Sequence, residues 1–100
     1  MVLHISLNSD KRIVEFRIWS KDSTLNKSHR QYVFNILREK AALRHITLIK
    51  STVKIGTSTL RIAEYPHFSD VFKLNNYILD LKHLKERLLF LGEMVNDCDI

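Results

Sequence analysis

Cationic side chains and a single tryptophan are the residues of this sequence best suited to contacting a ligand. Residues 11–54 contain eleven Lys and Arg against three acidic residues, in a chain of 100 residues with a net charge of +5. If residues 13–19 and 45–65 form strands with alternating sides, five such side chains share one open sheet face: Arg17, Trp19, Lys50, Lys54 and Arg61. Cations on neighbouring strands around an aromatic ring suit a phosphate backbone and a stacked base, so the pattern predicts nucleic-acid binding there.

The same positive charge is also compatible with simpler roles. A solvated basic surface keeps a small protein in solution, and an uncovered sheet face is normally polar. A second basic group, Lys27, Arg30 and Arg38, surrounds Phe34 on the flank of a predicted helix, where we expect Phe34 to extend the core. The sequence therefore leaves three roles open for the basic side chains: binding nucleic acid, binding a protein partner, or simple contact with solvent.

Catalytic and metal-binding patterns are not found in the sequence. It contains no nucleophile motif, no glycine-rich phosphate loop and no clustered carboxylates. The five His are scattered, and no pair has the spacing that a zinc site prefers. Cys98 is the only cysteine, so we expect no internal disulfide and an inert thiol near the C-terminus. The sequence predicts a non-enzymatic protein with no cofactor and no metal.

A second candidate binding surface lies in residues 69–91. Apolar residues recur there at alternating spacings of three and four: Leu74, Tyr77, Leu81, Leu84, Leu88 and Leu91. This spacing predicts a heptad seam on one long helix, and further apolar residues widen it. We expect one side of that helix to pack on the chain's own sheet. The other side, with Leu84, Leu88 and Leu91, is expected to meet a second copy or another protein.

Local patterns in the first half predict a β-hairpin and a helix. Residues 1–19 alternate apolar and polar side chains on either side of a polar turn, which is typical of a hairpin. A polar linker follows, and then a helix over residues 29–44, for which Ser28 and Gln31 have capping-box spacing.

The second half is predicted to contain another hairpin before the long helix. Residues 45–65 would form it, with Gly56-Thr57 as a two-residue type II′ loop. That register places five apolar residues toward the core: Ile49, Val53, Ile55, Leu60 and Ile62. Ser69 and Gly92 are the predicted start and stop of the helix over residues 69–91, and residues 96–100 a loose acidic tail.

The order ββαββα in one short chain predicts a single α+β domain over residues 1–100. We expect two layers, a four-stranded antiparallel sheet with two helices on one face. With no signal-like segment and no long apolar run, a soluble cytoplasmic or nuclear protein is expected, with no membrane contact. Two functions are open: a homodimeric basic module that binds nucleic acid on the open sheet face, or a protein–protein adaptor subunit whose interface is the C-terminal helix.

Overall fold

The computed structural model of this protein describes residues 1–21, 24–56 and 58–100, so the predicted loop residue Thr57 lies outside the described part. Its elements are β1 (Val2–Asn8), β2 (Ile13–Trp19), α1 (Lys27–Ala42), β3 (Ile49–Lys50), β4 (Thr59–Tyr65), α2 (Phe68–Val71), β5 (Leu74–Asn75), β6 (Ile78–Leu79) and α3 (Leu81–Asp97). The first four strands form an antiparallel sheet in the order β1-β2-β4-β3, and the core lies between this sheet and the helices α1 and α3. The predicted fold, a four-stranded antiparallel sheet with helices in a second layer, is confirmed.

The β1–β2 hairpin and α1 form the centre of the core. Phe16 and Ile18 of β2 pair with Ile5 and Leu3 of β1, and both β2 side chains are fully buried, as their alternation predicts. Helix α1 begins earlier than predicted, because Asn26 rather than Ser28 is its N-cap and accepts the amides of Ser28 and His29. Asn is as good an N-cap as Ser, so the local sequence could not distinguish a helix that begins after Asn26 from one that begins after Ser28.

The prediction of which apolar side chains of the second hairpin face the core is right for Leu60 and Ile62 but wrong for Ile49, Val53 and Ile55. Phe16 of β2 pairs with Ala63 and Arg17 pairs with Arg61, so Ile62 is an extra residue, a β-bulge, in β4. A bulge reverses the alternation on either side of it. As a result Ile49, which pairs with Glu64, lies on the open face and is 52% exposed.

A second irregularity follows along the edge segment, where Lys54 rather than Val53 pairs with Leu60. Val53 and Ile55 are also exposed rather than buried, whereas Lys50 and Lys54 pair with the core residues Ala63 and Leu60 and lie on the helix side. Gly56 does not have the positive φ that a type II′ loop requires, so that turn prediction is also wrong.

The single helix predicted over residues 69–91 is wrong, because this segment contains α2, a β5–β6 hairpin and only the first part of α3. Asn76 and Tyr77 turn the hairpin with φ of 54° and 66°. Asn tolerates this left-handed conformation, and Asp80 then accepts the amide of His83 at 2.9 Å as the N-cap of α3. Such local hydrogen bonding favours turns and caps over a helix interior.

Helix α3 also ends later than predicted. It continues through Gly92 to Asp97, and Cys98 caps it with a side chain that is buried in the core. The predicted loose tail is therefore helical at its start, where Asp97 pairs with Arg44 beyond the end of α1. No helix in the described ranges combines the length and apolarity needed to cross a membrane.

Candidate binding surfaces

The open face of the sheet carries an ion-pair network centred on Glu15. Arg17 Nη2 donates to Glu15 Oε1 at 2.6 Å, and Arg61 Nη2 lies 2.8 Å from Glu15 Oε2. Arg61 also pairs with Glu64 at 2.8 Å, and Asn8 donates to Glu15 at 3.3 Å. Two cations therefore share two carboxylates, which leaves little net charge on this part of the face.

The carboxyl group of Glu15 has no solvent exposure, yet it is stabilised as an anion. Burial raises the pKa of Glu15, but hydrogen bonds from Arg17 and Asn8 and the charges of Arg61 and Arg17 outweigh it. The net result is a pKa below the ordinary value of 4.5. Arg17 and Arg61 are directly opposite each other on β2 and β4, so their mutual repulsion is relieved by this carboxylate.

Trp19 lies at the end of the same open face. It follows the buried Ile18 on β2, is 43% exposed and pairs with Val2 and Thr59 on the neighbouring strands. The exposed Val2 makes this end of the face apolar rather than cationic.

Lys50 and Lys54 lie on the other side of the sheet, beside α1. Lys50 donates to the side-chain oxygen of Gln31, and its Nζ is 5.6 Å from the ring centroid of Phe34. Arg38 places its guanidinium 5.7 Å from the same centroid. The structure therefore separates Lys50 and Lys54 from Arg17, Trp19 and Arg61, and the prediction that these five share one face is wrong.

A basic cleft forms where these lysines meet the basic flank of α1. One part has a volume of about 530 Å³ and is lined by Lys27, Ser28, Arg30, Gln31, Lys50 and Thr52. A second part of about 400 Å³ is lined by Thr24, Leu25, Asn26, Lys27, Arg30, Thr52, Lys54 and Leu60. The two parts share lining residues, and we call them together the α1–β3 cleft. The sequence showed both basic groups, but only the bulge in β4 and the register shift between Lys50 and Lys54 bring them together.

An apolar surface covers the start of α3 and the neighbouring β5–β6 hairpin. Leu84 and Leu88 are half-buried in the wall of a shallow cavity of about 310 Å³, which Leu81, Lys85 and Leu89 complete. Leu81 is 70% exposed and Leu89 59%, and the hairpin adds three more exposed apolar residues: Leu74, Tyr77 and Ile78. We call these seven apolar residues the α3–hairpin surface. Leu91, which the sequence assigned to the interface, is fully buried in the core, so that assignment is wrong.

A polar cluster fixes α2 against α3. Tyr65 donates to Asp70 at 2.7 Å, and Arg87 donates to the Tyr65 oxygen at 3.4 Å. Burial and the hydrogen bond to Asp70 raise the pKa of Tyr65. Within the described residues, no three His, Cys, Asp or Glu side chains come close enough together to hold a metal ion.

Comparison of the chain with protein-family models, with curated proteins and with solved structures gave no significant match.

Proposed function

We propose that this protein is a non-enzymatic binding module that self-associates through the α3–hairpin surface. The observation that supports this is the concentration of seven apolar side chains, five of them exposed, within residues 74–89. The residues of α3 that are fully in the core, Leu91 and Met94, belong to its second half, whereas Leu81 and Leu89 in its first half are exposed and Leu84 packs only partly against the core. Exposed apolar side chains concentrated in this way favour a protein interface.

A second copy of the chain is the partner that the shape favours. The surface combines a concave part, the cavity between Leu81 and Leu89, with a convex part, the hairpin tip at Tyr77, which is 98% exposed. A twofold axis requires both complementary shapes on the same patch, because each copy then offers its tip to the other's cavity. Aromatic and aliphatic anchors in such pockets supply most of the free energy of an interface.

The test is the oligomeric state of variants altered at exposed positions. Leu81→Asp and Leu89→Asp are preferred to changes at Leu84 and Leu88, since the more exposed positions leave the fold intact. We expect the wild-type chain to sediment as a dimer and both variants as monomers with unchanged circular dichroism.

Leu43→Asp is the matched control, because Leu43 is 71% exposed at the end of α1, away from this surface. It should remain dimeric. A wild-type chain that stays monomeric at high concentration would contradict self-association, and the same surface would then favour the adaptor function. Dimers that persist in both variants would show that another surface is used.

Nucleic-acid binding is not proposed for the open sheet face. Arg17 and Arg61 are engaged by Glu15 there, and Lys50 and Lys54 lie on the opposite side.

A further inference from the structure

The cations of the α1–β3 cleft differ from the other cations of the sheet in having no acidic partners. Arg17 and Arg61 are paired on the open face, whereas the four cations that line the cleft, Lys27, Arg30, Lys50 and Lys54, form no ion pair with any carboxylate in the described part of the chain. Neither part of the cleft is lined by an acidic residue among those described. The cleft is therefore a concave surface lined by cations without a neutralising acidic residue.

The floor of the cleft is fixed by a buried arginine. Arg30 is 8% exposed, and it donates from Nη2 to the carbonyl oxygen of Val53 at 3.0 Å and from Nε to that of Arg61 at 3.3 Å. These bonds hold the first turn of α1 against β4 and the edge segment, so the lysines on either side keep their relative positions. The N-terminus of α1 contributes little, because Asn26 already accepts its free amides.

We propose that the α1–β3 cleft binds the phosphodiester backbone of a single-stranded nucleic acid. Its cations do not converge on one point. Lys50 and Lys54 pair with Ala63 and Leu60, which are three residues apart on β4, so the two positions are separated by about 10 Å at roughly 3.3 Å per residue. That distance exceeds the size of one phosphate group and suits successive phosphates of a chain that follows the two contiguous parts of the cleft.

The mode of recognition follows from Phe34. This ring is 6% exposed, and Lys50 and Arg38 both lie over it, so it is not available for stacking with a base. Binding in the cleft is therefore directed at phosphates and tolerant of sequence. It takes place on a different surface from the proposed self-association and does not depend on it.

The experiment is a titration of a short labelled oligothymidylate at several salt concentrations. Four phosphate contacts at about −0.7 each give a slope of log affinity against log salt of about −2.8, so affinity falls about 50-fold between about 50 and 200 mM salt. Lys50→Ala/Lys54→Ala removes two contacts and should halve that slope, with a loss of affinity of at least about 10-fold at the lower salt concentration. Circular dichroism checks that the variant is folded.

Separate controls distinguish the effect of net charge from the effect of where on the surface the oligonucleotide binds. Lys11→Ala/Lys82→Ala makes the same change in net charge at exposed positions elsewhere and should retain nearly wild-type affinity. Trp19 lies on the opposite face, so its fluorescence should be unchanged by the oligonucleotide, and Leu81→Asp should bind per chain as the wild type does.

Three results would overturn the proposal. Equal losses in both double variants would assign binding to net charge alone, and losses confined to Arg17→Ala/Trp19→Ala with quenching of Trp19 would place it on the open face. Competition by inorganic phosphate at the concentration of the oligonucleotide would identify a small phosphate ligand instead of a strand.

Discussion

The guanidinium of Arg61 lies 2.8 Å from the carboxylate of Glu15, a group with no solvent exposure, on a sheet face that no helix covers. Arg61 comes from the neighbouring strand β4, and Arg17 approaches the same carboxylate from two residues along β2 itself. This arrangement makes Glu15 a structural centre of the sheet, and it removes two arginines from the set available to an anionic ligand.

Replacing Glu15 by Gln should destabilise the protein by about 3 kcal/mol. The substitution leaves Arg17 and Arg61 facing each other without the charge that pairs them, and the loss of one partner from a buried ion pair costs this order of free energy. Urea unfolding followed by circular dichroism measures the change. Glu64→Gln is the matched control, with an expected cost below about 1 kcal/mol because Glu64 is partly exposed. Equal costs for both variants would contradict the central role of Glu15.

Stability should depend on pH through the same group. Because the pKa of Glu15 in the folded protein is below 4.5, its ordinary value, the unfolded chain binds its proton first as pH falls. The contribution of Glu15 is therefore complete above pH 4.5 and is lost as pH falls through the lower folded-state value. The difference in unfolding free energy between wild type and Glu15→Gln, measured from pH 7 downward, should shrink below pH 4.5. A difference that stays constant with pH would argue against a lowered pKa.

Truncation to alanine should affect folding stability at Leu91 and association at Leu89. Leu91→Ala removes a fully buried side chain and should cost about 3 kcal/mol of folding stability. Leu89→Ala should change the stability of the monomer by less than about 0.5 kcal/mol while weakening association, because Leu89 is an exposed member of the α3–hairpin surface. Denaturation at low protein concentration, paired with sedimentation at high concentration, separates the two effects. Similar stabilities for the two variants would contradict the orientation of α3.

Gly92→Ala should stabilise the isolated chain by about 1 kcal/mol. Gly92 lies inside α3, its φ is not positive, and a methyl group there would meet no atom within 4 Å. Alanine then gains the ordinary helix-propensity difference at no steric cost. Thermal unfolding of the monomer measures it as a rise in melting temperature. A fall in melting temperature would mean that the backbone at Gly92 is more constrained than the structure shows.

Local sequence patterns were sufficient to predict an element and its buried side where one short-range preference dominates. The alternation of β2 predicts the burial of Phe16 and Ile18, and the helical spacing of Val33 and Leu37 predicts the buried side of α1. In these segments the side-chain period has only one arrangement that buries the apolar residues, so the sequence predicts both the element and its orientation.

The C-terminal segment shows where that reasoning fails. Spacings of three and four between Leu74 and Leu91 fit a helix, but they fit a hairpin followed by a shorter helix equally well. The choice depends on Asn76, which tolerates the left-handed backbone of the turn, and on Asp80, whose side chain accepts the amide of His83 as a cap. Which leucine of α3 is buried then depends on where the helix begins, because each residue of shift rotates its face by about 100°.

The sequence by itself determined the α+β class, the β1–β2 hairpin, the core face of α1 and the presence of two basic groups and one leucine-rich surface. Only the tertiary structure decided which residues those surfaces contain. The bulge at Ile62 turns Lys50 toward α1 and exposes Ile49, and a one-residue shift in the pairing between Lys50 and Lys54 turns Lys54 the same way. Such irregularities arise from packing between strands that are distant in the chain. The sides of β3 thus depend on β2 and β4 together, and no pattern within β3 contains that information.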